Sequence, residues 1–306
     1  MQKRKLISTI QTIFGKKSRI SKALSGYQKL QEVREISSHF SAYLTPLVAS
    51  NKDLKEQSYG IRHQVYCVEE GFEPERESKL EIDEFDAYST ACMIEHKKTH
   101  RFAGTVRLVR PQKEDELLPI EKYCPSSITH PELNPANFKR SEICEVSRLA
   151  VPEEFRRRKS DKFDGASTGV INTSTYSETE LRCFPFIAIG LYLAAASISI
   201  NSGIKHTYVM MEPRLARSMR FIGIKFEQIG PVVDYHGKRA AYYITPEMLH
   251  KNLPKGFAAM FKHIQASLGH NVENNDISAK NADRIVEFIY RSFSTNFISQ
   301  QNQQLK

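Results

Sequence analysis

The chain has 306 residues, of which 40% are hydrophobic and 26% are charged. That length supports one sizeable core with appendages, or at most two domains, and we expect one main domain. A net charge of +9 and a pI near 9.2 favour an acidic partner: nucleic acid, an anionic membrane face, a phosphorylated cofactor or an acidic carrier protein. The five cysteines form no CxxC pair, so the sequence indicates neither a disulfide framework nor a metal site, and a reducing cytoplasm fits best.

The N-terminal segment, residues 1–50, is strongly basic. Leu6, Ile10 and Phe14 belong to an apolar set at helical spacing, so one interpretation is an amphipathic helix within residues 1–35 that lies on an anionic membrane. The other interpretation is a solvated, loosely ordered extension. The segment lacks the apolar core and cleavage site of a signal peptide, so we predict a cytoplasmic protein, membrane-peripheral only under the first interpretation.

Polar residues then accompany the first predicted elements of the main domain. A short helix carries Arg62 and Tyr66 one turn apart. Asp83 and Asp86 lie in the loop that enters an alternating strand at residues 88–95, and loops are where functional residues are commonly placed. The alternative is that the two aspartates only cap a turn.

The next predicted strand, Arg101 to Arg110, has one cation at its centre, Arg107. A charge inside a strand needs a partner or a ligand, because burying it alone is costly. Pro111 ends the strand, and the stretch up to Arg140 is predicted to be loop-like.

Residues 141–159, SEICEVSRLAVPEEFRRRK, combine a strand with a cationic corner. In a regular strand Glu145 and Ser147 share one face while Arg148 points to the other. We predict a β-bulge near Ser147, which would bring Glu145 and Arg148 together and free a backbone N–H. The alternative is an edge strand followed by a solvated basic loop. Pro152 stops the strand, and the cations beyond it are Arg156, Arg157, Arg158 and Lys159.

Beyond the corner, the Ser-, Thr- and Gly-rich stretch at residues 160–180 is predicted to be a flap or insertion. The apolar run at residues 184–200 is shorter than a membrane crossing usually needs, so we predict a buried core helix. A buried strand follows and is ended by Pro213, and the next helix has three arginines on one face. These are Arg214, Arg217 and Arg220.

A β-meander with a turn at His236-Gly237 completes the predicted sheet, and Thr245 with Pro246 is expected to begin a helix. The tail beyond residue 251 holds amphipathic helical pieces and no assignable motif.

Taken in order, these positions resemble the acyl-homoserine-lactone (autoinducer) synthases and the long-chain N-acyl amino acid synthases of the GNAT N-acyltransferase superfamily. The phrases EVSRLAV, FRRR, MEPRLAR and GIKFEQIGP look closest to acyltransferases associated with PEP-CTERM/exosortase systems. The similarity covers residues 59–250. The predicted domains are therefore a basic helical extension (residues 1–50), the acyltransferase domain (residues 51–250) and a helical C-terminal extension (residues 251–306). The matching positions are Arg62, Tyr66, Phe72, Asp83, Asp86, Arg107, Glu145 and Arg148.

Two departures from the family pattern affect the substrates. Phe72 stands where autoinducer synthases commonly have tryptophan, and this chain has no tryptophan. The glycine-containing phosphate loop of acetyltransferases is absent, and FRRRK takes its place. The resemblance therefore implies a long acyl chain carried on a carrier protein or coenzyme A rather than acetyl-CoA, with no permanently bound cofactor.

The resemblance also implies the fold and the path of the donor. The fold is an α/β (α+β) GNAT fold: a mixed, mostly antiparallel twisted sheet with splayed central parallel strands flanked by helices. The donor's pantetheine arm would lie between the strands at residues 143–151 and 206–211. Backbone N–H groups of Leu149, Ala150 and Val151 would bind that arm.

Roles for the side chains follow from the same resemblance. Glu145 is the first candidate for the general base and Asp86 the second, with Arg148 also assigned to the catalytic set. An ion-pair network of Arg62, Asp83, Arg107 and Arg148 would hold the acceptor's carboxylate, and the alternative is a purely structural network. The remaining assignments are Tyr66 and Phe72 for substrate binding, Arg156, Arg157 and Arg158 for the donor phosphate, and Arg214, Arg217 and Arg220 for an acidic carrier protein.

Three other functions stay open at this point. The first is an autoinducer synthase that uses S-adenosylmethionine. The second is a non-catalytic adaptor whose basic surface binds a membrane or, less in keeping with the resemblance, nucleic acid. The third is an enzyme with Cys144 as nucleophile, which is disfavoured because no histidine partner is marked in the sequence.

Overall fold

The computed structural model describes residues 37–38, 40–156 and 186–273. Its centre is one eight-stranded sheet with the order β1-β2-β3-β4-β5-β8-β6, and β7 pairs with β8. The strands are β1 Leu44–Val48, β2 Ser89–His96, β3 Arg101–Val109, β4 Ile143–Ala150, β5 His206–Met211, β6 Glu227–Gln228, β7 Val233–Asp234 and β8 Lys238–Ile244. Every pairing in this part of the chain is antiparallel except β4 with β5, so the predicted mixed, mostly antiparallel sheet is confirmed.

Helices cover both faces of the sheet. They are α1 Lys52–Arg62, α2 Pro119–Tyr123, α3 Glu153–Arg156, α4 Ile187–Asn201, α5 Pro213–Phe221, α6 Pro246–Asn252 and α7 Lys255–Glu273. A π-helical segment, His63–Glu69, continues α1, and a 3-10 turn, Glu84–Tyr88, precedes β2. Asn51 caps α1, and Thr245 caps α6 with Pro246 in its first turn, as predicted.

The predicted core helix is α4, which is apolar on all sides because it is buried. It packs with α7 against one face of the sheet, where Val146, Val209 and Tyr242 belong to the main core. The opposite face is covered by α1, the 3-10 turn and the loops around α2, and a second core there contains Phe85 and Tyr208. None of the helices within the described ranges has the length and apolar character needed to cross a membrane.

The predicted β-bulge is confirmed in β4. From Thr105 to Arg107 the chain of β3 advances two residues, while its partners run from Ala150 back to Ser147, three residues apart. The extra residue allows Arg148 to adopt φ +50, a left-handed conformation that costs a non-glycine residue roughly 1–2 kcal/mol.

The two parallel strands separate at the same level. β4 and β5 pair only from Ile143 with His206 to Val146 with Val209. Beyond that point, β5 keeps its pairing with β8 through Met211, whereas β4 follows β3. The sheet is therefore open between the second halves of its two central strands, which is the splay expected from the family resemblance.

The packed unit extends past both predicted domain boundaries. β1 lies within residues 1–50 but pairs with β2 along its whole length. α7 lies within residues 251–306 and buries Phe261, Ile264 and Leu268 in the main core. The amphipathic membrane helix predicted within residues 1–35 and the flap at residues 160–180 lie outside the described residues.

Candidate acyl-transfer site

A cavity of ≈ 510 Å³ occupies the opening between β4 and β5. It reaches both sides of the sheet, since Tyr66 and Phe72 line it on the α1 side while Ala188 and Tyr192 of α4 line it on the other. Its walls along the parted strands are Val146, Arg148, Leu149, Val151, Met210 and Met211. The opening is therefore a passage through the sheet, large enough for an extended chain.

A smaller cavity of ≈ 50 Å³ adjoins this passage beside Glu145. The two cavities share six lining residues, so they meet along one wall: Tyr66, Phe72, Val146, Arg148, Met210 and Arg239. The far side of the smaller cavity is formed by Tyr235 and His236 at the β7–β8 turn. A group that enters through the passage can thus approach the Glu145 carboxyl.

Glu145 is held in an unusual state for a carboxyl group. Its side chain is 2% exposed, and its Oε2 accepts a hydrogen bond of 2.8 Å from the backbone N–H of Ile120. Burial raises the pKa of Glu145 to about 8, although the Ile120 N–H and the charge of Arg107 act in the opposite direction. A carboxyl with this pKa is matched to proton exchange with an amine near neutral pH.

The predicted ion-pair network is present, and it lies next to Glu145 on the same face of the sheet. Arg62 donates to both oxygens of Asp86, at 2.6 Å and 3.0 Å, and its Nε donates to Glu81 at 2.5 Å. Arg107 donates to Asp83 at 2.5 Å and to Asp86 at 3.1 Å. The side chains of both arginines are only 1% exposed, so their guanidinium groups pair with carboxylates of the protein.

The surroundings of Asp86 argue against the role of second candidate base. Its carboxylate accepts from Arg62 and Arg107, and also from the backbone N–H of Asp83, with which it forms a capping box. Burial acts to raise the pKa of Asp86, but these bonds hold it below its ordinary value. In the structure the Asp86 carboxylate is the shared partner of Arg62 and Arg107, and its role as second candidate base stays a prediction.

Arg148 connects the network with the passage. Its guanidinium lies 3.1 Å from Glu73, 3.2 Å from Glu81 and 3.4 Å from Asp83. The bulge was predicted to bring Arg148 to Glu145, but Arg148 pairs with these three carboxylates instead, while both residues line the smaller cavity. These contacts tie the bulged part of β4 to the segment of residues 73–83.

The two aromatic residues assigned to substrate binding form one wall. Tyr66 lies under the Arg148 guanidinium and donates a 2.9 Å hydrogen bond to the carbonyl of Leu149, which ties the π-helical segment to the bulged part of β4. The ring of Phe72 is 6.5 Å from that of Tyr66 and 5.4 Å from that of His236. Both aromatic rings line the two cavities.

The cationic corner has one member within the described residues. Arg156 lines the passage but forms ion pairs with Glu69 and Glu70. Arg157 and Arg158 lie outside the described residues. Arg214, Arg217 and Arg220 are exposed on α5, and Leu215 of the same helix lines the passage, so these arginines stand near its mouth.

Several site residues were missed from the sequence. Glu81 is fully buried between Arg62 and Arg148 and pairs with both. Glu73, Tyr235 and Arg239 also line the smaller cavity. Arg239 had a weak signal in the Gly-x-Arg pattern that follows the hairpin turn, whereas the glutamates had none because their partners are distant in sequence.

Cys144 has no role in this site. Its Sγ lies 3.4 Å from the hydroxyl of Ser199 on α4, so it points away from the face that carries Glu145. Burial raises the pKa of the Cys144 thiol, which makes it a poor nucleophile. Across the described ranges, no group of His, Cys, Asp and Glu side chains is arranged to hold a metal ion.

A family comparison agrees with this architecture. Residues 61–163 match the family model of an acetyltransferase (GNAT) domain. An open, mostly antiparallel sheet whose two parallel strands part at a bulge defines the GNAT-like acyltransferase fold, and this chain has that fold. A search of curated protein sequences found no match.

The solved structures that match this chain share little sequence with it. The AHL synthase LasI has 16% identity and a TM-score of 0.48, over 69% of this chain and 97% of LasI. The CoA-dependent acyl-homoserine lactone synthase BjaI, with SAM and isopentyl-CoA, has 16% identity and a TM-score of 0.47, over 72% and 89% of the two chains. FeeM, an N-acyl amino acid synthase from uncultured soil microbes, has 14% identity and a TM-score of 0.44, over 69% and 94%.

Proposed function

We propose that the protein is an N-acyltransferase that moves a long-chain acyl group from a carrier-protein or coenzyme A thioester to the amine of an amino acid or a related small molecule. The observation that carries the proposal is the passage through the sheet, which joins the apolar α4 side to the cavity beside Glu145. The match of residues 61–163 to an acetyltransferase (GNAT) domain supports the same class of reaction.

In the reaction, the acceptor nitrogen attacks the thioester carbonyl carbon. A C–N bond forms, the C–S bond breaks, and the thiol leaves with one proton. The acceptor must lose its ammonium proton before it attacks, and the ionised form of Glu145 is placed to take it. The carboxylic acid formed in this way can pass its proton to the departing thiolate, and the regenerated carboxylate then takes the second proton that the nitrogen loses as the amide forms. A pKa of about 8 suits Glu145 to both directions of proton transfer.

The shape of the passage supports the donor side of the proposal. A pantetheine arm entering between β4 and β5 would run along Leu149, Ala150 and Val151, whose backbone groups border the passage or the bulge. A backbone N–H aimed at the developing oxyanion is typically worth about 10² to 10³ in rate. The acyl chain would continue to the α4 side, where an apolar cavity of ≈ 40 Å³ shares Val146, Tyr192 and Val209 with the passage.

An acidic acyl carrier protein is the partner that we propose for α5. Arg214, Arg217 and Arg220 are exposed and form no ion pair within the described residues. Their position beside the mouth of the passage suits a carrier that inserts its prosthetic arm there. Arg157 and Arg158, with Arg156, stay proposed as contacts of the donor's phosphate.

The test is a transfer assay with the purified full chain. Acyl-CoA and acyl-carrier donors of several chain lengths are incubated with each standard amino acid and with S-adenosylmethionine, and products are identified by mass spectrometry. We expect an N-acyl amino acid. A lactone product would identify S-adenosylmethionine as the acceptor in place of an amino acid. If no donor gave an acyl product, the proposal would be overturned in favour of a non-catalytic adaptor.

A further inference from the structure

One arginine of the site lacks the neutralising partners that the others have. Arg239 is on β8 and lines both the passage and the smaller cavity. Its Nε is buried and has no hydrogen-bond partner, and its guanidinium is in no ion pair with any residue of the described ranges. The ring of Phe72 lies 5.7 Å from the guanidinium carbon, which holds the planar group in place.

The strand register places Arg239 on the same face as Glu145. Glu145 is level with Tyr208 of β5, and Tyr208 pairs with Tyr243 of β8. Side chains alternate along a strand, so Tyr243, Ala241 and Arg239 point to one side. That side is the face on which Glu145 meets the smaller cavity.

Other arginines with a buried Nε show why Arg239 stands apart. Arg140 also has a buried Nε without a partner, but the rest of its guanidinium bonds Glu121. Arg110 has a buried Nε as well, but it lines neither the passage nor the smaller cavity. A buried guanidinium Nε without a partner is costly, so the half-buried Arg239 is suited to an anion that arrives with a ligand.

We propose that Arg239 binds the carboxylate of an α-amino acid acceptor and so sets the specificity of acyl transfer; this inference rests on the proposed N-acyltransferase function. In an α-amino acid the carboxylate and the amine are attached to one carbon. A guanidinium in the same small cavity as Glu145 can therefore hold the carboxylate while the amine faces the base. A guanidinium fork is matched to bidentate binding of a carboxylate.

The inference replaces the acceptor contact predicted for Arg62 and Arg107. Those two arginines are enclosed and already bonded to Asp83, Asp86 and Glu81. Arg239 reaches the cavity without giving up a bond to a described residue. Arg239 is therefore free to bind the acceptor, whereas Arg62 and Arg107 are already paired.

The test compares paired acceptors in the transfer assay. For the best amino acid acceptor and its α-carboxamide, KM is measured with wild-type protein, Arg239→Gln and Arg239→Lys. A charge-assisted contact predicts that Arg239→Gln raises the KM of the amino acid by about 10- to 100-fold. The KM of the carboxamide should stay within about twofold, and Arg239→Lys should recover part of the loss.

Lys238→Gln is the matched control. Lys238 is the exposed neighbour on the same strand and points to the other face, so its loss removes one positive charge from the same hairpin. We expect no change in either KM. Equal KM changes for the amino acid and its carboxamide in Arg239→Gln would overturn the inference while the function stands. Absence of any acyl product from the wild-type protein would overturn both.

Discussion

Two buried carboxyl groups on the same face of the sheet have opposite environments. Asp86 accepts bonds from two arginines and a backbone N–H, and its pKa is held below the ordinary value. Glu145 accepts one backbone N–H bond, and burial raises its pKa to about 8. The comparison shows that burial alone does not define a base, because the partners decide whether the buried group is ionised.

The difference follows from where the chain supplies cations. Arg62 and Arg107 are turned toward the 3-10 turn that begins with Asp83 and Glu84, so they neutralise that end of the site. Glu145 lies past Arg107, toward the opening between β4 and β5. One region is thus a set of mutually paired charges, and the other is a carboxyl group with a raised pKa beside a cavity.

The largest effect is expected from the Glu145→Gln change. Gln keeps the shape and can still accept from Ile120 N–H, but it cannot take the acceptor's proton. We expect kcat to fall by about 10²- to 10⁴-fold, measured in the transfer assay at saturating donor.

Glu142→Gln is the control for that change. Glu142 directly precedes β4 and forms a partly exposed ion pair with Lys205. We therefore expect the kcat of Glu142→Gln to match that of the wild type. A Glu145→Gln enzyme with the wild-type kcat would mean that Glu145 is not the general base.

The next effect concerns the closed network. Asp86→Asn removes the charge that both Arg62 and Arg107 contact and leaves two buried cations poorly neutralised. We expect the free energy of unfolding to fall by about 3–5 kcal/mol, measured by denaturant titration.

Glu84→Gln is the matched variant in the same turn. Glu84 is exposed and pairs with Lys122, so we expect the free energy of unfolding of Glu84→Gln to match that of the wild type. Equal destabilisation by the two variants would remove the distinction between the network and the surface.

A smaller effect, on the pH dependence of stability, should distinguish Glu145 from Asp86. Glu145 has a folded-state pKa of about 8 against an ordinary value of 4.5. Between these values the folded protein holds a proton that the unfolded chain has released, so stability falls as pH rises. The slope contributed by this group is at most about 1.4 kcal/mol per pH unit.

Thermal unfolding of wild type and Glu145→Gln from pH 5 to pH 8 measures that slope. Because Gln does not titrate, the variant should be similar to wild type at pH 5 and increasingly more stable toward pH 8. A difference that is constant with pH, or that grows toward pH 5, would mean that Glu145 is ionised in the folded protein.

Local patterns predicted the fold better than they predicted the site. The Glu145–Arg148 spacing indicated the bulge, the His236-Gly237 pair indicated a hairpin, and Thr245-Pro246 marked the start of a helix; all three are present. At the hairpin both turn residues have positive φ, 49 and 93, which is why a glycine-containing pair was informative. These features are set by residues close together in the sequence.

The partners within the site could not be derived in that way. Arg148 meets Glu73 and Glu81 across 75 and 67 residues of chain, and only the sheet topology brings them together. The same holds for Arg239, whose relation to Glu145 depends on the order β4-β5-β8. The π-helical segment that carries Tyr66 was not indicated either, because its apolar spacing is that of an ordinary helix.

The measurement that tests the central claim most directly is a crystal structure of the protein with a non-reactive thioether analogue of a long-chain acyl-CoA. We expect the pantetheine arm between β4 and β5, its sulfur beside Val146, and the acyl chain on the α4 side. An analogue bound elsewhere, or strands that stay paired past Val146 and Val209 and leave Glu145 closed off, would contradict the account.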